Sequence, residues 1–148
     1  PAQGTGGPHG RMSADLRWHQ RFENLQRALK QLQAAITAHD AKPDDELIVI
    51  ALIKAYEFSF ELSWKTLKDL LAWNGVDARL PREVLKQAFA TGLIDEGQIW
   101  IDMLEQRNLM AHTYDQARAL QAVELIASHY WPQLQRLQNA LEARRESI

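Results

Sequence analysis

The sequence contains no cysteine, which excludes disulfide bonds and metal sites built from thiolates. It also has no apolar run long enough to span a membrane, and no charged start followed by a short apolar core that would predict export. Lys and Arg number 17 against 19 Asp and Glu, so the formal net charge is only -2. Any nucleic-acid site must therefore be a local basic patch. We expect a cytoplasmic protein without membrane contact.

The five histidines do not form a metal-binding pattern. His9, His19, His39 and His129 are scattered along the chain without the spacing of metal ligands. A di-iron helical bundle would need a glutamate followed three residues later by a histidine, and no glutamate in this sequence has one. The sequence therefore predicts neither a metal nor another cofactor.

Glycine and proline are scarce except at the N-terminus. Residues 1–11 contain four of the seven glycines and two of the five prolines, with almost no apolar side chains. We expect a disordered lead or a cloning remnant there. Residues 12–148 should form a single domain, because 46% hydrophobic and 24% charged residues overall are ordinary for a folded protein with its own core.

Apolar residues recur at spacings of three and four along most of the chain, which predicts helices, and no segment alternates as a strand would. Ser13 is the expected N-cap of the first helix. The apolar seam of this helix should consist of Trp18, Phe22, Leu25, Leu29, Leu32 and Ile36. The predicted helices each lie between a capping residue and a helix breaker, and they cover about residues 13–39, 45–73, 81–91, 95–111 and 115 onward.

Particular residues define further details of these helices. Asp44 is the expected N-cap of the second helix, which should end at Asn74-Gly75. Pro81 should begin the third helix, and Asp115 should cap the last one. Phe89 and Leu120 fall on apolar stripes, so we expect both to face the core. Pro132 lies inside the last helix and should kink it or divide it at Tyr130.

Four long amphipathic segments with short connections predict an all-α protein, an up-and-down four-helix bundle with the short third helix as an accessory. Residues 47–53 of the second helix are apolar almost all the way round. Together with four tryptophans, they exceed what one small bundle needs. We therefore expect a homodimer formed through an apolar face.

Polar residues gather in residues 107–114, where packing does not explain them. Asn108 and His112 share one face of a straight helix, whereas Arg107 and His112 point about 140° apart. Arg107 and His112 meet at one site only if the helix distorts near Ala111, or if two chains come together. Taken alone, they also fit a solvated arginine and a C-capping histidine, and Tyr114 fits a packed ring with a wet hydroxyl.

A polar stripe follows one face of the second helix, at spacings of three and four. It consists of Lys54, Glu57, Glu61, Lys65 and Lys68. The ordinary interpretation is a solvated face, in which Glu61 and Lys65 form an i,i+4 ion pair. The alternative is that Glu57, Glu61 and Lys65 line a cleft for RNA.

The arginine, four residues, histidine, one residue, tyrosine spacing from Arg107 to Tyr114 resembles the signature of HEPN-domain ribonucleases. The resemblance is to the HepT-type toxins in particular, catalogued as nucleotidyltransferase substrate-binding proteins. Residues 56–68, Tyr-Glu-Phe-Ser-Phe-Glu-Leu-Ser-Trp-Lys-Thr-Leu-Lys, resemble the long second helix of the same family. The resemblance extends from about Leu16 to Leu141 and implies a four-helix bundle.

The resemblance also implies a function, that of a metal-independent endoribonuclease acting as the toxin of a toxin–antitoxin pair. His112 would be the general acid or base, and Arg107 would hold the scissile phosphate. Asn108 would orient the imidazole or donate to the same phosphate. Tyr114 matches the tyrosine to which a minimal, MntA-like nucleotidyltransferase antitoxin attaches AMP. An alternative is a non-catalytic subunit that presents a substrate or nucleotide to that nucleotidyltransferase, and a weaker one is a plain helical assembly module.

Overall fold

The computed structural model describes residues 7–110 and 115–146, with side chains for residues 16–108 and 115–146. The described part contains no strand, which confirms the all-α class. Its helical elements in chain order are α1 (Gly7–Ala41), α2 (Glu46–Trp73), α3 (Pro81–Ala90), α4 (Gly97–Met110), α5 (Gln116–Leu125), a π-helical segment (Ile126–Tyr130) and α6 (Trp131–Glu146).

α1 packs along α2 and supplies one wall of the core. Its predicted seam is confirmed, because Ile36 is half-buried against the core and the other five side chains are at most 1% exposed: Trp18, Phe22, Leu25, Leu29 and Leu32. Burying a leucine or phenylalanine side chain completely contributes about 1.5–3 kcal/mol each. α1 begins at Gly7, so Ser13 lies within the helix and is not its N-cap. The disordered lead expected over residues 1–11 stays a prediction for residues 1–6, which lie outside the described residues, whereas residues 7–11 belong to α1. That residues 12–148 form a single domain also stays a prediction.

α2 has a cap at each end. Asp45, and not the predicted Asp44, is the N-cap, because its backbone is extended and its carboxylate accepts hydrogen bonds from the Leu47 and Ile48 amides. The nearer contact, from the Leu47 N–H to Asp45 Oδ1, is 2.9 Å long. The predicted end at Asn74-Gly75 is confirmed, and Gly75 has the left-handed φ of +87° that favours glycine.

α3 begins with Pro81 at its first position, as predicted, and buries Val84, Leu85 and Ala88. The expectation that Phe89 faces the core is wrong, because its side chain is 53% exposed. Its ring lies outside the bundle against Gly97, where an added Cβ would come within 3.1 Å of the ring.

The last helix is divided where Pro132 predicts. The π-helical segment ends at Tyr130, and the Trp131 N–H donates to the Ile126 carbonyl, five residues earlier. Pro132 has no N–H to continue the usual ladder, so a wider turn before it is the expected accommodation. Asp115 caps α5, because its side chain accepts a hydrogen bond from the Ala117 amide. The expectation that Leu120 faces the core is wrong, because its side chain is exposed, whereas Val123 of the same helix is buried.

Together α1, α2, α4 and the α5–π–α6 segment form four long helical walls around one core, with α3 as a short accessory. The described helices include none with the length and apolar character needed to cross a membrane.

Candidate active site

Arg107 lies in the last turn of α4 and reaches across to α2. Its side chain is 24% exposed, and its Nη1 donates to Oε2 of Glu61 at 2.8 Å. The two residues are 46 positions apart in the chain, so the contact depends on how α2 and α4 pack together. An arginine in this environment is not the freely solvated helix-end arginine that its position alone allows.

A second contact orients the same guanidinium. Arg107 Cζ lies 5.8 Å from the centroid of the Phe60 ring, within the range of a cation–π interaction. Phe60 belongs to an aromatic cluster in which its ring is 6.2 Å from Tyr56 and 6.2 Å from Trp100. Tyr130 completes the cluster by stacking on Tyr56 at 5.7 Å. The guanidinium of Arg107 therefore lies against a cluster of packed aromatic rings.

Tyr56 fixes the position of α4 relative to α2. Its hydroxyl donates to the Met103 carbonyl at 2.9 Å in the buried core, one helical turn before Arg107. Burial raises the pKa of Tyr56 well above 10, the Tyr130 hydroxyl raises it further, and the charge of Arg107 opposes the shift. Tyr56 is thus a neutral hydrogen-bond donor at physiological pH.

Four of the five residues of the α2 polar stripe form two ion pairs with each other. Lys65 Nζ lies 3.5 Å from Glu61 Oε1, which confirms the predicted i,i+4 pair, and Glu61 therefore lies between two cations. Glu57 pairs instead with Lys54 at 3.7 Å. Of the three candidate cleft residues, Glu61 contacts Arg107 directly, Lys65 extends that contact outward, and Glu57 has its ion pair elsewhere.

One hydrogen-bond donor of Arg107 has no partner among the described residues. Its Nε is buried and has no hydrogen-bond partner within the part of the chain that the structure describes. Asn108, the next residue, is exposed at the end of α4. His112 and Tyr114 lie outside the described residues, so their predicted roles stay predictions. Within residues 16–108 and 115–146, no three acidic or histidine side chains group in a way that could hold a metal ion.

The sequence pattern singled out Arg107 but missed its partnership with Glu61 and Phe60. Both partners belong to residues 56–68, the second stretch that resembles HepT-type toxins. The available signal was that resemblance in two separate stretches, which implies that the two stretches meet in the fold. The apolar periodicity alone could not predict the contact with Arg107, because this pattern places Glu61 only on a polar face of α2.

Sequence comparison gives two findings. Residues 20–143 match a family model described as nucleotidyltransferase substrate binding protein like. A curated relative from Haemophilus influenzae, named Probable ribonuclease HepT, is 30% identical over 80 residues, which are 51% of this chain and 55% of that protein. The chain thus spans about half the length of the curated relative that it matches.

Two solved structures share the fold. A tri-AMPylated HEPN toxin from Shewanella oneidensis, in complex with an MNT antitoxin, superimposes with a TM-score of 0.70 at 13% identity, covering 85% of this chain and 96% of that one. A mutant MntA–HpeT toxin–antitoxin structure gives 0.71 at 14% identity, covering 85% and 97%. At these identities the likeness concerns the fold alone.

The family model covers most of the chain, and both solved structures have the same helical fold. The chain belongs to the nucleotidyltransferase substrate-binding-protein-like family.

Proposed function

We propose that this protein is a HepT-like toxin that cleaves RNA without a metal ion. The observation that carries the proposal is the state of Arg107, which α2 holds by hydrogen bond and ring contact while its Nε has no partner among the described residues. A guanidinium that is held in place and still 24% exposed can offer its remaining terminal donors to a phosphate. The name of the Haemophilus influenzae relative agrees with this activity.

The reaction divides between two residues. His112 takes the proton from an RNA 2′-hydroxyl, and the 2′-oxygen attacks the adjacent phosphorus. The P–O bond to the 5′-oxygen breaks, and that oxygen takes a proton from water. Arg107 binds the phosphate oxygens and offsets the charge that develops on them in the transition state. The products are a 2′,3′-cyclic phosphate and a 5′-hydroxyl. Asn108 orients the imidazole or donates to the same phosphate.

The α2 stripe contributes the wall of the RNA cleft in this proposal. Lys65 lies on the outer side of Glu61 and adds a positive charge beside Arg107. Two cations and one carboxylate leave the local charge positive, although the whole chain carries -2. Such a local patch is what a protein of this net charge needs to attract RNA. Glu57 lines the same face one turn earlier.

Regulation follows from Tyr114, two residues beyond His112. We propose that a minimal nucleotidyltransferase of the MntA type is the antitoxin and attaches AMP to the Tyr114 hydroxyl. The added phosphate then competes with RNA for Arg107 and His112. Solved structures of the same fold are described as an AMPylated toxin with an MNT antitoxin and as an MntA–HpeT pair.

The alternative function is a non-catalytic subunit that binds substrate for the nucleotidyltransferase, and the description of the matching family favours it. Both functions require the same partner. They differ in what His112 does, because only the ribonuclease needs a titrating imidazole.

The first test is incubation of the purified protein with total cellular RNA in EDTA, with end-group analysis of the fragments. We expect cleavage that leaves 2′,3′-cyclic phosphates, and a loss of about 10²–10⁴-fold in His112→Ala, because general acid–base catalysis contributes that much. His129→Ala removes an exposed histidine of the π-helical segment and serves as the matched control. Intact RNA from unmodified parent protein would favour the binding subunit.

The regulatory proposal is tested by intact mass. Parent protein incubated with the partner nucleotidyltransferase and ATP should gain AMP and lose ribonuclease activity. The Tyr114→Phe variant should gain none and stay active. Equal AMP addition to both proteins would show that Tyr114 is not the acceptor.

A further inference from the structure

Among the described residues, one hydrogen bond joins the α2 stripe to the motif arginine, and it runs from Arg107 to Glu61. We propose that Glu61 is a positioning residue, which keeps hold of Nη1 of Arg107 during the reaction and presents the other edge of the guanidinium to the scissile phosphate. This inference rests on the proposed ribonuclease function and names a residue that the motif does not contain.

Two contacts determine the orientation of the guanidinium. The hydrogen bond to Glu61, at 2.8 Å, fixes the direction of one terminal nitrogen. The Phe60 ring, 5.8 Å from Arg107 Cζ, supports the group from within the core. Because Phe60 and Glu61 are adjacent on α2, both contacts move together with that helix. A long and otherwise flexible side chain is thereby held in one arrangement.

The contact with Glu61 uses only part of the guanidinium. Nη1 donates to the carboxylate, and Nε is buried and unpaired within the described residues, so Nε is not open to an external ligand. The side chain is nevertheless 24% exposed, and the terminal nitrogens carry two N–H groups each. Donors of a guanidinium that stay free can bind the oxygens of a phosphate. Glu61 and a phosphate can therefore occupy Arg107 at the same time.

Lys65 explains why a carboxylate in this place does not repel RNA. Its ammonium lies 3.5 Å from the second oxygen of Glu61, so the negative charge is shared between Lys65 and Arg107. Each Glu61 oxygen has its own cation, which also restrains the carboxylate. Glu61 thus acts as a fixed acceptor for Arg107 and not as a competitor for its phosphate edge.

The test compares Glu61→Ala and Glu61→Gln with the parent in steady-state RNA cleavage. We expect Glu61→Ala to lower kcat about 10- to 100-fold with a much smaller change in KM, because a misplaced catalytic group costs rate more than binding. Glu61→Gln keeps an acceptor oxygen and should retain more activity than Glu61→Ala. The matched control is Glu105→Ala, which removes an exposed glutamate of α4 that pairs with Arg82 and not with Arg107. We expect parental kinetics from it.

Either of two results would overturn the inference. An unchanged or increased kcat in Glu61→Ala would show that Glu61 is dispensable or competes with the phosphate. An equal or reversed order of the two Glu61 variants would show that its acceptor oxygen does not matter. Thermal unfolding of each variant separates loss of fold from loss of positioning.

A second readout does not depend on cleavage. The Arg107 Nε–H signal in ¹⁵N NMR, assigned with Arg107→Lys, should report an ordered side chain in the parent and in Glu105→Ala, and a mobile one in Glu61→Ala. Unchanged order in Glu61→Ala would contradict the positioning role. If the parent cleaves no RNA but this difference is found, the proposed ribonuclease function fails while the positional role of Glu61 stands.

Discussion

Tyr56 connects the core to the site at the scale of single residues. Its ring stacks between Phe60 and Tyr130, and its hydroxyl binds the Met103 carbonyl of α4. Tyr56 and Phe60 are one turn apart on α2, as Met103 and Arg107 are on α4. The buried hydrogen bond and the site contact therefore brace the same two helices.

Tyr56→Phe should lower the free energy of unfolding by about 0.5–1.5 kcal/mol, because it removes a buried hydrogen bond and keeps the ring. Urea unfolding followed by circular dichroism measures this change. Tyr130→Phe is the control, since its ring stacks on Tyr56 but its hydroxyl makes no hydrogen bond within the described residues. A loss as large in Tyr130→Phe would assign the effect to the ring cluster and not to the hydrogen bond.

The effect of Tyr56→Phe on the free energy of unfolding should depend on pH. Burial raises the pKa of Tyr56 above its ordinary value of 10, so the tyrosine ionises in the unfolded chain before it does in the folded protein. The contribution of the Tyr56 hydroxyl to the free energy of unfolding is complete below about pH 10 and is lost as the pH rises through the pKa of the folded protein. The penalty of Tyr56→Phe should thus be smaller at about pH 11 than at about pH 8. An equal penalty at both would contradict the raised pKa.

The limits of prediction are also visible residue by residue. The pair between Glu61 and Lys65 was predictable, because an i,i+4 spacing fixes the distance within one helix. The pair between Glu61 and Arg107 was not, because it depends on the rotation and spacing of two helices that the sequence pattern leaves undefined. The prediction that Phe89 faces the core was wrong for a related reason, because an apolar stripe on one helix does not show how far the neighbouring helix extends over it.

At the scale of elements, caps and breakers predicted helix ends well. Pro81, Asn74-Gly75, Asp115 and Pro132 each act where the sequence places them. These signals are local, and local geometry decides them. Asp44 and Asp45 are equally good capping residues in sequence, and only the extended backbone at Asp45 separates them.

Asp45→Ala should therefore destabilise the protein by about 0.5–2 kcal/mol, the usual effect of losing an N-cap. Its carboxylate accepts from two amides of the first turn of α2. Asp44→Ala, one residue earlier and exposed, is the matched control and should change stability little. Chemical denaturation of both variants decides between them. A larger loss of stability in Asp44→Ala would show that Asp44, the residue predicted from the sequence, is the N-cap.

At the scale of the whole molecule, α2 presents an uncovered apolar face. Leu47, Ile50 and Phe58 are 77%, 63% and 58% exposed and lie on one side of the helix, with Lys54 between them. Exposed apolar side chains grouped in this way often mark an interface. The homodimer stays a prediction, and this face is where we expect it.

Sedimentation equilibrium tests that prediction. The parent should be dimeric, and Ile50→Lys should shift it toward the monomer, because a charge would be buried in the interface. Leu80→Lys changes an equally exposed leucine outside α2 and should leave the dimer intact. A monomeric parent would refute the homodimer, and a dimer unaffected by Ile50→Lys would place the interface elsewhere.

The aromatic cluster beneath Arg107 has a genetic consequence. If the protein is toxic to the cell that makes it, a selection for survivors would recover more than changes at Arg107 and His112. Substitutions at the buried Phe60 or Trp100 would also inactivate it, because they would let the guanidinium shift. Survivors should therefore cluster on α2 as well as on α4, and many would still make full-length, folded protein.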